Sequence, residues 1–325
     1  MGPEIRGIKS ATMTKMTHFS RGIAIVLTGI LCAARFEAAA ATEKAENFDL
    51  DAAVKVADKG EAKAQYDLAR HYAKGDGAPQ DPVKAADYMR RAASQGFAYA
   101  ETDLGSYYGR GFGVEMNLAE SLKWYRKAAG HGDTLGQYCL GFCLVKGRGV
   151  PPNVDEGVKW LRKSAEGGQA EAQDVLGNLY MNRGPIENTN YINYPEAAKW
   201  LRKAAEQGYV ASMNNLGFLY QMGWGVEKNP EEAVKWYRTA AEKGEPKAQA
   251  NLGLAYQDGM GVAPDKVQAY KWFILSAAQN DVVGKHYFED YNRFHRVTPE
   301  QIAEAEKMAA ELRAKFLKER FTKRY

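Results

Sequence analysis

A Leu-Gly pair returns along this chain at Leu104-Gly105, Leu140-Gly141, Leu176-Gly177, Leu216-Gly217 and Leu252-Gly253, with Leu68-Ala69 as a degenerate first copy. An aromatic residue returns in step with it, at Tyr88, Trp124, Trp160, Trp200, Trp236 and Trp272. Successive copies lie 36 residues apart, except for 40 between Trp160 and Trp200. A period of this length restricts the chain to a repeat architecture. Each copy is one supersecondary unit that cannot bury its apolar face alone and must stack on its neighbours.

The unit reads as two helices. In the first, Ala, Leu and Tyr fall at four-residue steps, as in Ala100, Leu104, Tyr108 and in Ala248, Leu252, Tyr256, which puts them on one helical face. A glycine turn follows at Gly75-Gly77, Gly111-Gly113, Gly147-Gly149, Gly223-Gly225 and Gly259-Gly261. Its first glycine suits the left-handed residue that closes a helix. The second helix opens on a cap at Asp81, Asn117, Asn153, Asn193, Asn229 or Asp265. In four of these, Glu120, Glu156, Glu196 or Glu232 stands three residues on, the spacing of a reciprocal capping box. Pro82 and Pro230 take the first helical position, where a missing N–H costs nothing. Each Trp precedes an Ala-Ala or Ser-Ala pair by four residues, and this face is expected to pack on the first helix. The second helix stops at Gly96, Gly132, Gly168, Gly208 and Gly244, with Asn280 as a weaker substitute.

These signals divide the chain into residues 1–41 as a signal peptide, 42–60 as a capping helix, 61–281 as six repeats, and 282–325 as capping helices with a basic tail. The apolar run Gly22–Ala34 has 13 residues, short of the roughly 20 that a spanning helix needs. It follows basic residues and precedes the small residues Ala38–Ala41, which suits cleavage after Ala41 and export to the periplasm or beyond. An uncleaved anchor is the alternative, and the only route to membrane contact. Thr298-Pro299-Glu300-Gln301 starts a long amphipathic helix with Ile302, Ala305, Met308, Ala309, Leu312 and Phe316 on one side, suited to covering the end of an array.

Outside residues 1–41, which hold five bases and two acids, 39 Lys/Arg face 38 Asp/Glu. A net of +1 gives no general pull toward nucleic acid. The G-x-G turns resemble phosphate loops only superficially, having neither a preceding strand nor a following GK[ST]. Cys139 and Cys143 sit one helical turn apart, a spacing at which a disulfide would be strained, so two thiols are expected. The scattered His71, His131, His286 and His295 supply no further ligands, so no metal is expected. Asp67 and Asp103 occupy equivalent positions in adjacent repeats and could face one another, yet no catalytic constellation or cofactor site stands out.

The pattern A-x-x-x-L-G-x-x-Y-x-x-G-x-G-V, a cap, then W-x-x-K-A-A-x-x-G resembles the Sel-1-like repeat family, relatives of tetratricopeptide repeats. The likeness runs from about Phe48 to Asp281 and departs most in repeat four, which has no G-x-G-V turn and carries a longer Met181–Asn193 loop. The resemblance implies an all-α, right-handed superhelical solenoid of helix-turn-helix repeats. It also implies a non-catalytic adaptor that binds a protein or peptide, such as an envelope regulator or a cell-wall enzyme. A cell-wall enzyme or peptidoglycan-binding protein using the same groove is the rival reading. Cysteine-rich exported members bridge their two helices across a longer spacing that this chain does not have.

By fold analogy the first helices line the concave side. Equivalent positions there are Asp67, Asp103, Cys139, Val175, Asn215 and Asn251, each one turn before His71, Tyr107, Cys143, Leu179, Leu219 or Ala255. The candidate partner-binding residues are therefore Asp67, His71, Asp103, Tyr107, Leu179, Asn215, Leu219 and Asn251. Asn215 and Asn251 would hold a peptide backbone, since an amide both donates and accepts. Tyr107 and Leu219 would anchor its side chains. For the leader, N-terminal sequencing of exported material is expected to begin at Thr42; a chain that still carries Gly22–Ala34 would identify an anchor instead.

Overall fold

Six helix pairs follow a lone first helix in the computed structural model, which describes residues 48–182, 191–294 and 297–322. The lone helix is α1 (Leu50–Ala57). The pairs are α2 (Ala62–Lys74) with α3 (Pro82–Ser94), α4 (Ala98–Arg110) with α5 (Leu118–Gly130), and α6 (Thr134–Lys146) with α7 (Val154–Glu166). They continue as α8 (Ala170–Tyr180) with α9 (Tyr194–Glu206), α10 (Val210–Met222) with α11 (Pro230–Glu242), and α12 (Pro246–Asp258) with α13 (Lys266–Ala277). Two further helices follow, α14 (Val282–Phe294) and α15 (Pro299–Thr322). No strand occurs among the described residues, and the fold is an all-α repeat solenoid. Residues 1–41, expected to be a signal peptide, most of the Met181–Asn193 loop and His295 lie outside the described residues. Packing divides the chain into two compact units. One runs to Cys139 and takes in Arg148–Pro151; the other comprises Leu140–Gly147 and the chain from Pro152 onward.

The second helix of each pair is tied down at its start. Asn117, Asn153, Asn193 and Asn229 accept the N–H of Glu120, Glu156, Glu196 and Glu232, at 2.9–3.1 Å. Asp81 and Asp265 each accept two such N–H groups. Only this forward half of the expected capping box forms. The N–H of each cap instead donates to a carbonyl near the end of its first helix, as Asn117 does to Tyr108 at 2.8 Å and Asn229 to Tyr220 at 2.9 Å. That bond satisfies a carbonyl the first helix would otherwise leave open. It also releases the glutamates: Glu120, Glu196 and Glu232 pair with Lys123, Lys199 and Lys235.

Within five of the six pairs the helices meet where one side chain is missing, the first pair having Ala69 at that place. A Cβ on Gly105 would stand 2.8 Å from the Tyr125 ring, one on Gly217 2.8 Å from Tyr237, and one on Gly253 2.6 Å from Phe273. Gly141 and Gly177 meet Leu161 and Leu201 in the same way. All five partners are buried, and each is the residue after the Trp rather than the Trp itself. Adjacent helical positions differ by about 100° of rotation, so the Trp is turned away from the contact. Trp200 and Trp272 are still buried, whereas Trp124, Trp160 and Trp236 are half-buried. Lysine ammonium groups lie over the faces of two of them, Lys127 at 4.1 Å from Trp124 and Lys163 at 4.5 Å from Trp160. Burying each Tyr, Leu or Phe contributes about 1.5–3 kcal/mol.

The turn's second glycine is required twice over. Gly113 has φ +66°, and a Cβ there would stand 1.8 Å from the carbonyl oxygen of Pro82, at the start of the preceding second helix. Gly132 has φ +88° but open space around it. Gly132→Ala should therefore cost only the left-handed strain, about 1–2 kcal/mol. Gly113→Ala should cost about 3 kcal/mol or more, because backbone must move. Urea denaturation of the two variants checks this, and equal midpoints would refute the close-approach account.

Candidate functional site

The first helices carry the candidate partner-binding residues, some in each of the two units. In the first unit Asp67 is half-buried and accepts from Lys63 Nζ on its own helix at 2.6 Å. His71 Nδ1 lies 2.7 Å from the carbonyl oxygen of Asp76, and its ring stacks on Phe48 at 3.8 Å between centroids. Asp103 is buried. Its carboxylate is closed off from solvent, whereas that of Asp67 is not. Tyr107 has no exposed surface, and its ring meets Phe112 edge-on at 4.8 Å. Burial, with the charge of Asp103 as a lesser cause, pushes its hydroxyl well above the usual tyrosine range.

The second unit shows the same division. Leu179 and Leu219 are core residues, at 1% and 0% exposure. Tyr107 and Leu219 therefore cannot anchor a partner's side chains in this structure, which corrects the anchor role expected of them. The physical reason is that these residues stand three positions after the Leu of the Leu-Gly pair, about 60° from it round the helix, and so share its interior side. A signal for this was present: the positions equivalent to Tyr107 are Cys143, Leu179, Leu219 and Ala255, apolar except for His71.

Asn215 and Asn251 are half-buried and belong to a connected run of amides. Asn251 Nδ2 donates to Asn214 Oδ1 at 2.8 Å, Asn214 Nδ2 to Asn215 Oδ1 at 3.4 Å, and Asn215 Nδ2 to Asn178 Oδ1 at 2.8 Å. Asn178 Nδ2 ends the run on the carbonyl oxygen of Asp174, at 2.9 Å. Four amides thus join α8, α10 and α12. Beside them Ser212 Oγ, itself buried, donates to Asp174 Oδ1 at 2.6 Å. Burial raises the Asp174 carboxyl to about 6, against hydrogen bonds from Ser212 and Asn178 that favour its charged form. Asn178, Asn214 and Asp174 each stand one residue before the two positions compared across repeats, at 179, 215 and 175, which is why the sequence pattern passes over them.

Elsewhere, Cys139 and Cys143 are not joined in a disulfide, the first being buried and the second half-buried. Among the described residues no group of three or more His, Cys, Asp or Glu is placed to hold a metal ion, and no helix is long and apolar enough to cross a membrane.

Comparison with known proteins settles the family. The profile described as "Sel1 repeat" matches six consecutive segments, 62–97, 98–133, 134–169, 170–209, 210–245 and 246–281. The chain belongs to the Sel1 repeat family. Among solved structures, this Sel1 array is similar to c5321, a protective antigen present in uropathogenic Escherichia coli strains and displaying an SLR fold. The two are 35% identical with a TM-score of 0.71; the match covers 82% of this chain and 56% of that one, so the chain spans little more than half of that relative. The array is also similar to a Sel1 repeat protein from Oxalobacter formigenes, at 30% identity and a TM-score of 0.64, covering 75% of this chain and 96% of that one. A search of curated proteins finds no match.

Asp174 gives the Sel1 array a pH signature. With the folded carboxyl at about 6 and an unfolded one near 3.8, the native state holds the extra proton between those values. The contribution of this group to stability therefore falls as pH rises through 6 and is recovered on acidification toward 4. Asp174→Asn should flatten that part of the melting temperature against pH, by comparison with the parent chain. Parallel profiles for the two proteins would refute the burial argument.

Proposed function

We propose that this protein is a non-catalytic scaffold that binds a partner protein or peptide along the first helices of its repeats, after export to the cell envelope. The observation that carries the reading is the amide run Asn178, Asn215, Asn214 and Asn251. Core positions of a solenoid are apolar, and a row of polar side chains across three successive first helices needs a reason. Each of the four commits one N–H to this chain. An asparagine amide has two, so the half-buried Asn178, Asn215 and Asn251 each keep a second donor for a peptide carbonyl, while the buried Asn214 links them from within. A row of donors at repeat spacing suits an extended segment, whose backbone carbonyls recur regularly. Asp67 and His71, both half-buried at equivalent places in the first repeat, are further polar contacts under this reading; Asp103, Tyr107, Leu179 and Leu219 hold the helices in place. Binding by such a surface is stoichiometric and uses no cofactor.

The expected partner is a protein of the envelope, as suits an exported family member. Asn215→Ala combined with Asn251→Ala tests the surface. Each lost hydrogen bond costs about 1 kcal/mol, so the melting temperature should drop modestly with helicity intact. Capture of the cross-linked envelope partner should fall at least about tenfold. Undiminished capture would remove the amides from the binding surface. Binding or cleavage of purified peptidoglycan fragments would replace the scaffold reading with a cell-wall activity.

A further inference from the structure

In repeat four Glu196, the third residue of α9, gathers three donors. Lys199 Nζ lies at 3.2 Å, Trp200 Nε1 at 3.0 Å, and Arg162 Nη1 of the preceding second helix at 3.5 Å. Arg162 also donates from Nη2 to Tyr180 Oη, at 2.5 Å. Burial would raise the Glu196 carboxyl, but the hydrogen bonds from Lys199 and Trp200 and the charges of Lys199 and Arg162 hold it below the usual range. The carboxylate is the keystone of this cluster.

Repeat six presents the same donors around a different residue. Lys271 and Trp272 stand three and four residues after position 268, as Lys199 and Trp200 stand after Glu196. Arg238 stands on the preceding second helix, at the place of Arg162, and donates from Nη2 to Tyr256 Oη at 2.9 Å as Arg162 does to Tyr180. Position 268, however, is Gln. Lys271 Nζ donates to Gln268 Oε1 at 2.6 Å and lies 4.3 Å from the centre of the Trp272 ring. Trp272 is 3% exposed, and its Nε1 is buried without a hydrogen-bond partner. Lys271 is 8% exposed, and burial, then the charge of Arg238, lowers its pKa against the pull of Glu242 and Asp265. Among the described residues neither Lys271 nor Arg238 has a carboxylate within ion-pair distance. Repeat five differs: Trp236 Nε1 is also unpartnered, but Glu232 is present and pairs with Lys235 at 3.0 Å. The distinguishing feature of repeat six is a pair of cations and an orphan indole N–H from which the carboxylate has been withdrawn.

We propose that Arg238, Lys271, Trp272 and Gln268 form a carboxylate-binding site for an acidic partner peptide, whose carboxylate takes the place that Glu196 fills in repeat four. This deepens the scaffold reading and rests on it. The carboxylate accepts from Lys271 Nζ, Trp272 Nε1 and the guanidinium of Arg238, while Gln268 turns its amide N–H toward the second oxygen. Arg238 is exposed and Gln268 and Tyr256 are half-buried, so the cluster opens to solvent on the Arg238 side. The donor set fits either a Glu or Asp side chain or a chain's terminal carboxylate.

The test uses the full chain and fluorescently labelled hexapeptides. One has two central Glu residues and an amidated end, a second has Gln in their place, and a third is the Gln peptide with a free C-terminus. Anisotropy should show the Glu peptide, the free-acid peptide or both binding at least about tenfold more tightly than the amidated Gln peptide; which one binds identifies the carboxylate source. Gln268→Glu supplies an internal carboxylate. It should raise the melting temperature and abolish that preference, as should Lys271→Met without the gain in stability. Equal binding of all three peptides, or a preference that survives Gln268→Glu, overturns the site. If no peptide is preferred while the cross-linked partner is still captured and lost from the Asn215/Asn251 variant, the site alone fails. If capture fails as well, the scaffold reading fails with it.

Discussion

Five of the six repeats depend on a contact in which one helix contributes no side chain. Gly105 against Tyr125, Gly217 against Tyr237 and Gly253 against Phe273 bring two helices so close that a ring fills the space a Cβ would take. Close approach then dictates the polar arrangement. With the helices this near, the chain between them is short, and the cap N–H lands on the carbonyl of Tyr108, Leu144 or Tyr220 instead of on its own glutamate. The start of four of the six first helices is tied back similarly: Gln65, Gln137, Gln173 and Gln249 donate to the carbonyls of Ala57, Ala129, Ala165 and Ala241. Both bonds satisfy buried backbone groups that would otherwise cost about 1–3 kcal/mol each.

A scaffold whose positions are so fully assigned to packing can carry specificity only where one copy departs from the others. Gln95 with Gln65, Gln207 with Gln173 and Gln279 with Gln249 form one recurring amide pair. In repeat two the same pair is His131 with the buried Glu101, at 2.7 Å. The asparagine run is another departure, confined to α8, α10 and α12. A third is Gln268 in place of glutamate. None of the three alters the helix pair around it.

The helical frame was legible because its signals are local and recur: caps, turn glycines and the 36-residue period each act within a few residues. Even Asn280 proved readable as a substitute glycine, with φ +61°. The candidate surface was far less so. Which face of a first helix is open depends on neighbours from other repeats, and a four-residue step cannot show that both sides of Tyr107 or Leu219 are covered. The residue that fills the glycine contact was within reach, since Tyr125, Leu161, Tyr237 and Phe273 all stand 20 residues after their glycine. The conspicuous Trp beside it drew the reading one position, and hence about 100°, too far round the helix.

The energetics of repeat six bear on why a departure of this kind persists. A lysine at 8% exposure that rests on a neutral amide and an indole face is held less well than Lys199 on Glu196, because an amide oxygen carries a partial charge where a carboxylate carries a full one. Arg238 nearby makes the arrangement worse by like-charge repulsion. The stabilising residue is one that four other repeats already use at that position, Glu120, Glu156, Glu196 and Glu232. Local stability therefore favours glutamate at 268. A chain that holds glutamine there leaves two cations and an N–H facing a place with no charge of its own, and a carboxylate arriving from outside recovers the interaction energy that an internal one would have taken up during folding.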